Sequence, residues 1–321
     1  MNNLISKISK FLSYLFNDLI KKLEIIIKRP SIFFKKESLF IRNFYIRISF
    51  LLRKKEIIKR KKFLKIANFH NQNEFQRDGY MKLENLNNYS LIKEVLEEAK
   101  KDLRSHKYTY KDERFFKNYL QEVEPQKKLD LDHPYLKLGL NSQIIDIVSN
   151  YFGYLPILTE IKLWHSPGII SKYSGSQLFH LDVADIKQIK LFFLISDVTD
   201  NSGPTTLINA IVSKKICSDF KYNFKSTKQS RVSDQLVSQY IDQSDFFKMK
   251  GKKGTLFFAD TSRCLHFGSR KSGNKRNLLM IQYLSPFSFN LDLKYSNSTK
   301  FGSLVNNKDN IFLKTLLGGN C

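Results

Sequence analysis

Apolar positions along the chain repeat with two different periods. Leu4, Ile8, Phe11, Leu12, Leu15, Phe16, Leu19, Leu23, Ile26 and Ile27 fall on helical spacing, with Lys7, Lys10, Asn17, Lys21 and Lys28 filling much of the other side. This predicts an amphipathic helix over residues 1–29, interrupted by Pro30. A second apolar and basic run spans residues 39–52, and a Lys/Arg-dense stretch follows at 53–65. Helices are also predicted at 89–105, with Leu91, Ile92, Val95, Leu96 and Leu103 on one side, and at 142–151, ended by Gly153. The pattern then shifts to short runs rich in β-branched and aromatic residues. These predict strands at 155–164, 176–183, 189–198, 205–208, 254–259 and 278–284, with a turn at Asn201-Ser202-Gly203-Pro204.

Helices first and many short strands afterwards favour a mainly β fold with flanking helices, a sandwich or double-sheet jelly roll, over an alternating α/β fold. Residues 211–250 are polar and weakly periodic, and read as an insertion between strands, a common place for a lid over a barrel mouth. The expected division is a basic helical extension at 1–67 and a domain at 68–321 whose core is 68–290.

Composition supports a folded chain. Of 321 residues, 42% are hydrophobic and 13% aromatic, enough for a sizeable core. Cys217, Cys264 and Cys321 are odd in number, far apart and without a C-x-x-C pattern, which argues against a disulfide framework or zinc site and for a reducing compartment. No uncharged run approaches the roughly 20 residues needed to span a bilayer, and no secretory signal is evident. The expected location is therefore cytoplasmic.

Charge adds a second feature. The formal net charge is +24, of which residues 1–66, with 18 Lys/Arg against 4 Asp/Glu, carry +14. One reading lays this segment on an anionic membrane surface, peripheral to the bilayer; the other packs its apolar stripe on the main domain. Nucleic acid is disfavoured, because the segment is rich in apolar residues and lacks a helix-turn-helix or zinc pattern.

The chemistry gathers on His180, Asp182, His266 and Arg276. Two His and a carboxylate on one side of a metal leave positions open for a cosubstrate and O2, as in non-heme iron oxygenases. Residues i and i+2 of a strand point the same way, so His180 and Asp182 reach one metal from one strand. Arg is the natural fork for the far carboxylate of a dicarboxylic acid. Lys190 has the strand parity of Phe192: if Phe192 points inward, Lys190 does too and needs an anion, a cosubstrate carboxylate or an acidic substrate; the other reading has it cap the strand end and reach back to water. His165 reads as a structural His, Cys264 as a small buried hydrophobe, Arg263 and Arg270 as supporting or surface groups, and Tyr80 and Tyr283 as core aromatics.

Three stretches carry a family resemblance: FQRDGYMKLENL at 75–86, SQLFHLDVADIKQIKLFFLISDVTDNSGPTTLIN at 176–209, and GTLFFADTSRCLHFGSRKSGNKRNLLMIQY at 254–283. In this order they resemble the phytanoyl-CoA dioxygenase family of iron(II)/2-oxoglutarate oxygenases, over roughly residues 68–290 and not the basic extension. The resemblance implies a double-stranded β-helix, iron(II) on His180, Asp182 and His266, and the 5-carboxylate of 2-oxoglutarate on Arg276. It implies hydroxylation of a small-molecule or lipid-like substrate with O2, releasing succinate and CO2; the basic balance suggests an anionic one. Halogenases of this kind carry Ala or Gly at the carboxylate position, so Asp182 favours hydroxylation. The alternative is a non-catalytic binding or scaffold protein on a relic barrel, with the basic segment as its working part.

Overall fold

The structure, a computed structural model, describes residues 13–20, 34–65, 72–106, 119–168, 173–270, 273–291, 299–306 and 310–319. Within them lie two antiparallel sheets. The larger has the order β1 (Tyr80–Leu83), β7 (Leu256–Ala259), β4 (Gln188–Leu194), β9 (Arg276–Leu284), β3 (Ile157–Ser166) and β2 (Gln121–Val123). The smaller has the order β6 (Phe247–Lys248), β5 (Thr206–Leu207) and β8 (His266–Phe267). Helices flank the larger sheet. Among the described residues the two sheets do not join into one closed barrel.

Strand parity decides what meets what. On β4, Ile189, Leu191 and Phe193 join the main apolar cluster beneath the helices, while Phe192 and Leu194 join a second cluster with Leu207 of the smaller sheet. The pairings Phe192↔Met280, Leu194↔Leu278 and Phe192↔Phe257 carry this division across β9 and β7. One face of the large sheet is thus covered by helices and the other faces the small sheet. The covering helices are Tyr89–Ser105, Pro134–Gly139 and Ser142–Phe152, contributing among others Val95, Leu136 and Ile144. Asn88 and Asn141 cap the longer two, and Gly153 ends the last.

Several boundaries have local causes. β3 starts at Ile157 and runs on to Ser166, because Pro156 offers no N–H to the ladder. Gly79 ends the helix Gln72–Asp78 at φ +82, and a Cβ there would come within 2.6 Å of Cys264 Sγ. Its carbonyl accepts the Asp260 N–H at 2.7 Å, joining this helix end to the end of β7.

The expected strand at 176–183 does not form. Ser174 and Gln177 make a reciprocal capping box around the 3-10 turn Gly175–Gln177, so the backbone turns where the strand should begin. Only two single-residue bridges remain, Phe179↔Val232 and His180↔His266. Residues 211–250 are more ordered than their composition suggested. They contain helical turns at Asp234–Val237, most of the helix Ala210–Asp219, and β6, which pairs with β5. Ile216, Tyr222, Val232 and Val237 build a third apolar cluster with Phe179 and Leu265.

Of the helix expected at 1–29, residues 13–20 are helical and the rest lies outside the described residues. The next two basic runs form the helices Leu39–Leu52 and Lys54–Lys61, and both enter the main core through Ile46 and Ile57. Two arginines go in with them. Arg60 donates to the carbonyls of Leu155 and Pro156 at 2.9 and 3.3 Å. Arg42, 1% exposed, donates to the carbonyls of Lys35, Val183 and Asp185, and its guanidinium lies 4.3 Å from the ring centroids of both Phe224 and Phe289. Burial lowers its pKa to about 10, so it remains charged at neutral pH. Arg42→Met keeps most of the volume and deletes the donors. The expected loss is about 2–3 kcal/mol of unfolding free energy, from stranding the carbonyls around residues 183–185; urea denaturation checks it.

Candidate metal centre

His180 and His266 are joined backbone to backbone. The His180 N–H donates to the His266 carbonyl at 3.1 Å and the His266 N–H to the His180 carbonyl at 3.0 Å. Directly opposed residues of an antiparallel pair project side chains to the same face. The two imidazoles accordingly lie 4.3 Å apart, centroid to centroid. Asp182 is placed separately: its N–H donates to the Thr261 carbonyl at 2.8 Å. The i, i+2 relation of His180 and Asp182 holds, but a bridge and one further backbone bond enforce it, in place of a strand.

Each imidazole is oriented by its own chain. His180 Nδ1 lies 2.8 Å from the Leu178 carbonyl and His266 Nδ1 3.0 Å from the Cys264 carbonyl. A carbonyl only accepts, so Nδ1 carries the proton in both rings and Nε2 presents its lone pair. Burial lowers both pKa values, aided for His180 by His266, which keeps both rings neutral. One ligand atom from each of His180, Asp182 and His266 lies within 4.8 Å of the other two. Neutral imidazoles with fixed tautomers beside a carboxylate are a donor set suited to a divalent transition metal.

Asp182 is held as an anion. Burial would raise its pKa, but the Lys190 ammonium, by its charge and its hydrogen bond, outweighs this and keeps it well below the usual carboxylate range. Lys190 Nζ donates to Oδ2 at 2.6 Å and Gln188 Nε2 to the same oxygen at 3.1 Å. Both donors fall on Oδ2, and among the described residues none reaches Oδ1. Lys190 does point inward, as parity predicted, and the anion that receives it is Asp182. Gln188 shares that parity, so its inward side chain is legible from the same strand. Thr261 Oγ1 accepts from Gln188 Nε2 at 2.5 Å, and Asp260 accepts from the Gln188 N–H at 3.3 Å and the Tyr151 hydroxyl at 2.7 Å. These bonds fix the start of β4 to the turn that leads to His266.

Arg276 opens β9 and shares the parity of Leu278 and Met280, which face the small sheet. It is 3% exposed. Nη1 donates to Thr205 Oγ1 at 3.0 Å and Nη2 to Ser269 Oγ at 2.9 Å, while Nε is buried without a partner. No carboxylate pairs with it among the described residues. Burial lowers its pKa to about 10, so it is a full cation at neutral pH with only two hydroxyls to answer it. Gly268 stands beside it, where even a Cβ would lie 3.5 Å from Nη2. An unpaired, buried guanidinium with a spare donor is a seat for an anion.

The remaining candidates fall into structural roles. His165 Nδ1 meets Asn277 Oδ1 at 2.7 Å. The Cys264 thiol donates to the Asp78 carbonyl at 3.2 Å. Arg263 bonds the Tyr151 hydroxyl at 2.7 Å, and Arg270 pairs with Asp234 at 2.8 Å with its guanidinium over Phe267. Tyr283 is buried and donates to the Gly139 carbonyl at 2.7 Å, and Tyr80 stacks on Phe247. His133 caps the helix Pro134–Gly139, and His70 lies outside the described residues.

No protein-family model and no curated protein sequence matches the chain. Solved structures similar to it include the epimerase SnoN in complex with Fe3+, alpha ketoglutarate and nogalamycin RO (12% identity, 67% of this chain and 82% of that one, TM-score 0.45). A second is EctD from S. alaskensis with 2-oxoglutarate and 5-hydroxyectoine (14%, 70% and 80%, TM-score 0.46). A third is AviO1 from Streptomyces viridochromogenes Tue57 (13%, 69% and 98%, TM-score 0.42).

A cation lacking its anion predicts ligand-linked stability. A small dicarboxylic acid such as 2-oxoglutarate, at about 100 times its Kd, should add about 2.7 kcal/mol to the unfolding free energy. Arg276→Leu should abolish the gain, and thermal unfolding with and without the acid measures it in both proteins.

Proposed function

We propose that the protein is an iron(II)- and 2-oxoglutarate-dependent oxygenase that hydroxylates a small-molecule or lipid-like substrate. One observation carries the reading. The ligand atoms of His180, Asp182 and His266 converge, with both Nδ1 protons already committed to carbonyls, and the buried cation Arg276, on the face toward the small sheet, lacks an anion. The ordered motifs that resemble the phytanoyl-CoA dioxygenase family, and a double-stranded β-helix as the complete form of the two antiparallel sheets, belong to the same proposal.

In this reading His180 and His266, through Nε2, and Asp182, through its carboxylate, would hold iron(II). When bound, iron(II) with 2-oxoglutarate and O2 would supply the oxidising chemistry for hydroxylating a substrate C–H bond, 2-oxoglutarate being oxidised to succinate and CO2. Arg276 takes the far carboxylate of 2-oxoglutarate with its fork, assisted by the Thr205 hydroxyl. Lys190 and Gln188 stay on Oδ2, turning Oδ1 to the metal and holding the carboxylate charged. Since Lys190 is committed to Asp182, Arg276, buried without a carboxylate partner among the described residues, is the cation this reading assigns to the cosubstrate. Phe192, Leu194, Leu278 and Met280 belong to the apolar cluster packed between the sheets, which would keep water from the reacting centre.

A second reading has one contact in its favour. Lys190 at 2.6 Å from Asp182 supplies positive charge beside the ligand set, as it would in a relic that binds no metal. Anaerobic iron(II) titration followed by succinate measurement separates the two. The oxygenase binds iron and forms succinate even without its substrate, and His180→Ala loses both. Gln188→Leu should weaken iron binding by about 10- to 100-fold while leaving the three ligands in place. Absence of both iron binding and succinate in the intact protein would sink the proposal.

A further inference from the structure

We propose that the outward face of the helix Leu39–Leu52 docks the protein on an anionic lipid bilayer. This helix has two apolar sides. Arg42 and Ile46 are buried against the body, with Tyr45, Ser49 and Phe50 partly covered beside them. On the other side Phe40, Ile41, Phe44, Ile48, Leu51 and Leu52 are exposed, Phe40 and Leu52 at 80% and Leu51 at 77%. At 3.6 residues per turn these six fall within an arc of about 120°, and at 1.5 Å per residue they extend about 18 Å. No large apolar patch of this kind is needed for folding, since the helix is already fixed through its inner side.

Charge selects the occupant. Within 34–65, Lys36, Arg47, Lys54, Lys55, Lys61 and Lys62 are exposed and no acidic residue is. The two acids of that stretch are partly covered and paired, Glu37 with Lys225 and Glu56 with Arg60, each at 2.7 Å. An apolar face rimmed by cations matches the boundary between acyl chains and anionic headgroups. It does not match a second copy of itself, which would bring like charges together. Nor is it covered by the helical residues 13–20, whose own Tyr14, Phe16 and Leu19 are exposed. The Arg42 bonds to the body make this a fixed face on a rigid element. The proposal is independent of the catalytic reading, because none of these six residues or their basic neighbours takes part in the metal group.

Vesicle co-sedimentation of the full chain tests it, using phosphatidylcholine alone against phosphatidylcholine with one third phosphatidylglycerol. Binding should be at least about tenfold stronger to the anionic vesicles and fall steeply with salt. The double substitution Phe40→Asp with Phe44→Asp should reduce it about tenfold or more without lowering Tm, since both side chains are exposed. Arg47→Glu with Lys54→Glu reads the charge contribution while leaving the apolar face intact, and should also weaken binding. Equal partitioning into neutral and anionic vesicles, or wild-type binding by both double variants, would overturn the proposal. So would a dimer in size-exclusion chromatography that the Phe40/Phe44 variant splits, which would make the face an interface between copies.

Discussion

The site depends on one backbone pair. His180 and His266 exchange both of their backbone hydrogen bonds and no extended ladder surrounds them on the His180 side. That single bridge turns two residues distant in sequence into neighbours with side chains on one face. Everything else in the centre follows from it. Asp182 arrives because its N–H is taken by Thr261, four residues before Leu265 and on the same turn that delivers His266. The β5–β8 pairing sets Leu207 opposite His266, which aligns the imidazoles with the apolar wall between the sheets. Two bonds in a short bridge would hold weakly alone. The turn behind it is therefore tied elsewhere, by Gly79 and Tyr151 to Asp260 and by Ser213 to the Leu265 N–H.

Much of this was legible in the sequence, for identifiable reasons. Parity along β4 needs only a correct strand and one inward residue, so Lys190 was placed inward before its partner was known. Arg276 was legible as the residue that opens a strand, because the apolar run 278–281 follows it. The helices at 89–105 and 142–151 were legible because Leu91, Val95 and Leu103 fall on one side of the first and Gly153 ends the second. The segment 176–183 was misread because His180, Asp182 and their apolar neighbours alternate like a strand, while the Ser174–Gln177 box bends the chain first. Gln188, Thr205, Ser269 and Asp260 were missed since a polar side chain in a short strand or turn looks the same whether it faces water or a buried charge. Short pairings such as β1 and β2 depend on partners far along the chain and have little local signal.

The net charge, too, divides differently in three dimensions than along the chain. Residues 1–66 carry most of the excess, yet Arg42 and Arg60 are the largest fully buried side chains among the described residues. Their guanidiniums satisfy backbone carbonyls that no secondary structure serves, at the loops around 183–185 and 155–156. Arg suits that task because its fork holds several acceptors at once and its planar group stacks on rings, as Arg42 does between Phe224 and Phe289. The basic segment is thus part cationic surface and part internal framework.

Arg42 joins those two parts mechanically. It sits on the helix Leu39–Leu52, and its acceptors at Val183 and Asp185 lie one and three residues beyond Asp182. Asp182 in turn is held on its other side by the Thr261 carbonyl and, through Oδ2, by Lys190 and Gln188. The loop that carries this carboxylate is therefore suspended between β4 and the outer helix, with few backbone bonds of its own. A shift of that helix relative to the sheet would have to carry with it, or break from, the carbonyls that Arg42 holds one and three residues beyond Asp182. The helix whose outer face is apolar and cationic is for this reason also a structural support of the candidate metal centre.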